Sequence, residues 1–122
     1  MKTTSILVIE DNPVNMELAV AVLELDGYRV LTATDAESGI RSARENIPDL
    51  ILMDIQLPGM SGLHATRIIK QDSTTQNIPV VALSAHAMKA DEEEAIMAGC
   101  SVYITKPFQL KPFLEVIKKY VQ

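Results

Sequence analysis

The chain has 122 residues, a formal net charge of −5 and a single cysteine, Cys100. The acidic balance leaves no basic stripe to pair with nucleic-acid phosphates, one cysteine rules out an internal disulfide, and no apolar run approaches the ~18 residues of a membrane span. The length predicts one domain over residues 1–122, large enough to bury roughly two-thirds of its unfolded surface. A hydrophobic content of 48% fits a compact globule. The start, MKTTSILVIED, meets acid after a short apolar run and so is not read as a signal peptide. Together with the lone cysteine, it fits a reducing cytoplasm. There is no internal repeat and no low-complexity segment.

Strand-like and helix-like segments alternate along the chain. Ser5–Glu10 (SILVIE) is the first apolar run. Asn12 follows as an N-cap, with Pro13 at the first helical position. Val14, Leu18, Ala21, Val22 and Leu25 share one face at helical spacing, which predicts the buried face of the first helix. Gly27 stands where a helix is terminated by a glycine. Tyr28–Ala33 is the second strand, and Ala36, Ile40 and Ala43 mark a shorter helix ending near Pro48. Leu50–Met53 (LILM) is apolar without alternation, as in a strand covered on both faces. A third helix starts near Leu63, and Ile78–Ala85 is the fourth strand. The acidic helix KADEEEAIMAG closes at Gly99, and Ser101–Thr105 is the fifth strand. Leu110, Phe113, Leu114, Ile117 and Val121 form the stripe of the last helix. This alternation predicts an α/β fold: a doubly wound, five-stranded parallel sheet with helices on both faces.

In such sheets chemistry sits beyond the carboxyl ends of the strands. The first strand ends in Glu10 and Asp11, the third in Asp54, the fourth in Ser84, and the fifth just before Lys106. Three carboxylates, one hydroxyl and one ammonium are thereby aimed at a single edge. Clustered carboxylates repel one another and commonly mark a divalent cation site. An all-oxygen set favours Mg²⁺, with Mn²⁺ as an alternative. Lys106 can pair with a carboxylate or a phosphoryl oxygen, and Ser84 can donate to a phosphoryl oxygen. Phosphoryl transfer asks mainly for positioning and charge neutralisation, and a carboxylate nucleophile leads to an acyl phosphate. Asp54 is the best nucleophile candidate: it ends the more central run and precedes the Pro58–Gly59 turn.

Four blocks in order and spacing, VIEDNPVN, DLILMDIQLPGMSG, VVALSAHAM and YITKPF, resemble those of receiver domains of two-component signalling, over essentially the whole chain. In style they are most similar to receivers of hybrid sensor kinases and to DivK-like single-domain regulators. The resemblance implies the flavodoxin-like strand order 2-1-3-4-5, with Asp54 as phosphoacceptor. It also implies that Asp11 and Asp54 bind Mg²⁺ directly, that Glu10 acts through water and that the Gln56 backbone carbonyl completes the protein ligands. Ser84 becomes the hydroxyl switch, Tyr103 the aromatic switch, Lys106 the phosphate-binding cation, and Lys106–Pro107 a cis peptide. Glu10 stands where many members have aspartate, and glutamate is common there too. The implied donor is a phosphohistidine on a histidine kinase or phosphotransfer protein. The implied output is protein–protein contact through the fourth helix, fifth strand and fifth helix, with no output domain in these residues unless they are a fragment of a longer chain, and no nucleic acid or membrane is expected as partner.

Blander readings attach to single residues. Asp54 alone could cap a turn, Glu10 and Asp11 alone could be a solvated pair favoured by a helix dipole, and Tyr103 alone is a strand tyrosine packing its ring. His64 is read as a surface residue of the third helix, His86 as a residue near the pocket mouth, and Cys100 as a small core or turn residue. Two rival functions are a receiver-like scaffold that is never phosphorylated and a Mg²⁺-dependent phosphatase. The latter usually needs a second acid two residues after the nucleophile, where this chain has Gln56. Neither GxxxxGK[ST] nor GxGxxG is present to support a nucleotide-binding enzyme.

Overall fold

Strands β1 (Ser5–Ile9), β2 (Arg29–Ala33), β3 (Leu50–Asp54), β4 (Val80–Ser84) and β5 (Val102–Thr105) pair in parallel in the order β2-β1-β3-β4-β5. They are seen in a computed structural model that describes residues 3–85, 88–106 and 109–121. Helices α1 (Pro13–Leu25), α2 (Ala36–Asn46), α3 (Gly62–Gln71), α4 (Lys89–Ala98) and α5 (Leu110–Val121) alternate with the strands. The doubly wound order expected from the sequence is the one observed. Among the described residues, no helix is long and apolar enough to cross a membrane.

Strand alternation builds two cores, one on each face of the sheet. Leu7 is in register with Ile51, and Ile51 with Val80; all three face the layer of Ala36, Ile40, Ala65, Ile69 and Ala95 on α2, α3 and α4. Val8, Leu52 and Val81 occupy the next rung and face Ala19, Val22, Leu23, Phe113 and Ile117 on α1 and α5. Every residue of β3 is buried, which is why its sequence shows no polar alternation.

The face assigned to α1 is corrected except at Val22, which is buried as expected. Val14, Leu18 and Leu25 are 71%, 52% and 90% exposed, whereas Ala19, Val22 and Leu23 are buried. Apolar residues run nearly all the way round this helix, so two stripes fit the same period. The one that meets the sheet is Met16, Ala19, Val22 and Leu23. Leu110 of the α5 stripe also lies outside the core, at 55% exposure, while Phe113 and Ile117 anchor that helix. The fourth strand is shorter than expected, because the Ile78 N–H turns back to the Thr75 carbonyl. Asn12 caps α1 through Oδ1, which accepts from the Val14 and Asn15 N–H groups, and Gly27 takes a left-handed φ of 90° behind that helix.

Candidate phosphoryl-transfer and metal site

After β1 the chain turns towards β2, and after β3 it turns the opposite way, towards β4. A crevice opens where these paths diverge. Glu10 and Asp11 follow β1, and Asp54 is the last residue of β3. One carboxylate oxygen from each lies within 4.8 Å of the others. Glu10 and Asp54 are buried, and Asp11 is exposed.

Lys106, just beyond β5, reaches across the crevice. Its Nζ lies 2.6 Å from Glu10 Oε1 and 3.6 Å from Asp54 Oδ1. Its backbone N–H donates to the Ser84 carbonyl, tying the ends of β5 and β4 together. The Asn12 N–H donates to Glu10 Oε2, and the Gln56 N–H to Asp54 Oδ1. Burial and a hydrogen bond with Glu10 push the Asp54 carboxyl up to about 7, against the pull of Lys106. Burial also acts to raise Glu10, but hydrogen bonds from Asp54, Lys106 and the Asn12 N–H hold it below its ordinary value. Of the two carboxyls, Asp54 is therefore the one more easily protonated, because the ammonium lies nearer Glu10. That is how a carboxylate is tolerated at the end of a buried strand.

With Asp54 ionised, three carboxylates against one ammonium leave two negative charges, which a divalent cation would cancel. The donors are all hard oxygens, and the exposed Asp11 keeps one side open to water. This set suits an ion that retains part of its hydration shell.

The family model of the response regulator receiver domain matches residues 6–118. The chain belongs to that family. Receiver domains are the phosphorylation-dependent switches of two-component signalling, a signalling family rather than one of conventional enzymes. Among the relatives of this receiver, the polar-differentiation response regulator DivK of Brucella ovis is 44% identical over 119 residues, covering 98% of this chain and 97% of the relative. The receiver domain of a Pseudomonas aeruginosa sensor histidine kinase is 36% identical, with a TM-score of 0.91 and 98% of each chain covered. That structure carries a magnesium ion in its active-site cleft. A CheY-like receiver from Methanospirillum hungatei is 25% identical with a TM-score of 0.91, covering 98% of this chain and 94% of that one.

Of the residues singled out from the sequence, Glu10, Asp11, Asp54 and Lys106 converge. Ser84 stands at the end of the adjoining strand, fully buried. Tyr103 is half-buried in β5, opposite Ala82, against the α2–α4 core. His64 is exposed on α3, and Cys100 is buried with its thiol 3.8 Å from Thr66 Oγ1. His86 and the Lys106–Pro107 bond lie outside the described residues.

Two contributors were not singled out from the sequence. Gly62 opens α3 so close to β3 that a Cβ there would overlap the Asp54 carbonyl oxygen. The GMSG stretch signals a chain break but not this approach. The other is the Gln56 side chain, whose Nε2 donates to Ser84 Oγ at 2.7 Å. Only its backbone carbonyl was expected to matter, and no spacing rule reveals where an exposed amide will point.

Proposed function

We propose that Asp54 accepts a phosphoryl group from a phosphohistidine of a partner kinase or phosphotransfer protein. The observation that carries this reading is the convergence of Glu10, Asp11 and Lys106 on the buried Asp54 carboxyl at the end of the central strand. An Asp54 oxygen attacks phosphorus, the phosphorus–nitrogen bond breaks, and the imidazole leaves. The nucleophile is the carboxylate, so where Asp54 is protonated its proton passes to water first. Asp11 and Asp54 would hold Mg²⁺, or Mn²⁺, with the Gln56 carbonyl, and Glu10 would act through water; the ion would supply charge neutralisation to the phosphoryl oxygens. Lys106 turns from Glu10 to the phosphoryl group and offsets its charge. Ser84 donates to it, and Tyr103 follows Ser84 inward.

The change is passed on through α4, β5 and α5. Met88, Ile96, Met97 and Leu110 expose apolar surface there, at 66%, 47%, 86% and 55%, which suits contact with a protein partner. Residues 1–122 act as one receiver unit in the cytoplasm, and slow self-dephosphorylation resets it.

The test is incubation with acetyl phosphate and Mg²⁺, read as a hydroxylamine-labile mass increase. The parent should be labelled and Asp54→Asn should not. Equal labelling of the two would move the acceptor elsewhere, and no labelling of the parent by acetyl phosphate or by any phosphohistidine donor would favour the scaffold reading.

A further inference from the structure

We propose that the Gln56 side chain is a latch on the unphosphorylated state, fastening Ser84 and the Ala85 amide together until a phosphoryl group on Asp54 displaces it. One primary amide engages two consecutive residues at the end of β4. Its Nε2 donates to Ser84 Oγ at 2.7 Å, and its Oε1 accepts from the Ala85 N–H at 3.1 Å. The orientation of the amide is fixed by chemistry, because a backbone N–H can only donate and must face the carbonyl end. The other end of the same residue is tied to the acidic site, through the Gln56 N–H on Asp54 Oδ1 at 3.0 Å. Gln56 therefore joins the acceptor carboxylate to the first two residues of the β4–α4 junction.

A phosphoryl dianion only accepts hydrogen bonds, and it recruits donors. The Ala85 N–H already serves a neutral acceptor, Gln56 Oε1, and the Ser84 oxygen is held by Gln56 Nε2. A charged acceptor makes hydrogen bonds roughly twice as strong as a neutral one, so the phosphoryl group prevails. It does so only by the difference between the two sets of bonds, and that difference is what shifts the population. Gln56 sets the threshold of the switch. A residue of the same length that can neither donate nor accept would lower it.

The latch itself does not depend on Asp54 being the acceptor; the displacement rests on that reading, and the two are tested separately. The first measurement is amide hydrogen exchange at Ala85 in the unphosphorylated, metal-free protein. Gln56→Ala and Gln56→Met should exchange about tenfold faster at Ala85, equivalent to about 1.4 kcal/mol, while β3 amides stay protected. Gln56→Glu retains an acceptor for Ala85 and should keep its protection. Unchanged Ala85 exchange in both Gln56→Ala and Gln56→Met would overturn the latch. The second measurement is titration with beryllofluoride and Mg²⁺, followed by the shifts of the Ser84 and Ala85 amides. Gln56→Ala should bind this phosphoryl mimic about tenfold more tightly than the parent, a gain of about 1.4 kcal/mol. Equal or weaker binding would overturn the displacement. A parent that does not bind the mimic at all would count against Asp54 as acceptor and against displacement, while the exchange result still decides the latch.

Discussion

Lys106 is bonded to Glu10 at 2.6 Å, an ångström closer than it comes to Asp54. The ammonium thereby favours one of two neighbouring buried carboxyls, and the other is pushed up to about 7 by burial. This asymmetry has a sign that stability measurements can read.

Asp54 ordinarily titrates at 3.8 but is raised to about 7 in the fold. Between those values the folded protein holds a proton that the unfolded chain has lost, so this group's contribution to stability declines as pH rises through that window. Asp54→Asn removes the titration. Without metal, the stability of the variant relative to the parent should be greater at about pH 8 than at about pH 5. Urea melts at the two pH values measure this, and a difference that does not change with pH would contradict the raised Asp54 carboxyl.

Mg²⁺ competes with that same proton. Its affinity should climb as pH passes through about 7 and then level off. Asp11→Asn should weaken binding at every pH yet retain the pH dependence, because the carboxyl raised to about 7 is Asp54. Titration followed by amide shifts would show both effects, and unaltered affinity in Asp11→Asn would remove this residue from the ligand set.

On the proposed reading, Ser84 donates one hydrogen bond to the phosphoryl group, worth about 1–3 kcal/mol. Ser84→Ala should therefore still accept phosphate, more slowly, but bind its downstream partner nearly as the unphosphorylated protein does. Phosphate incorporation and partner affinity measured on the same samples separate the two roles. Full partner affinity in the phosphorylated variant would shift the coupling to Lys106.

The two faces of α1 should differ sharply. Leu23 is fully buried, and Leu23→Ala should cost about 2–5 kcal/mol. Leu18 is 52% exposed, and Leu18→Ala should remain within about 0.5 kcal/mol. Chemical denaturation of both variants checks the orientation of the helix.

Gly62→Ala would press a methyl group against the Asp54 carbonyl, where backbone cannot yield as a side chain can. A loss of about 1–3 kcal/mol is expected, together with shifted Asp54 and Gln56 amide resonances. A variant with parental stability and resonances would show that α3 can move away freely.

The sheet and its active edge were legible because each rests on a strong local signal. Leu50–Met53 has no polar residue, as suits a strand covered on both faces, and Asp54 falls at its end. The order of strands, by contrast, was supplied by the resemblance, since periodicity says nothing about neighbours. The orientation of α1 was misjudged, though Val22 was placed correctly, because Val14, Leu18 and Leu25 satisfy the helical period as well as Ala19 and Leu23 do. Pattern carries information only when one face is polar, and here the choice was made by the fit against Ile6, Val8 and Leu52. Gln56 was invisible for a different reason: its significance lies in a contact with Ser84, 28 residues away, that no local rule encodes.

The layer begun by α1 is closed by the last helix, where Phe113 and Ile117 seal Ile6, Val8 and Leu52. During synthesis those three side chains leave the ribosome long before the residues that cover them. At ~5–20 residues per second the wait is on the order of ten seconds. For that interval the part of this side that α1 does not cover stays open to water, a greasy surface a holding chaperone could bind. A ribosome that stalled before Phe113 would leave that part uncovered for as long as it paused.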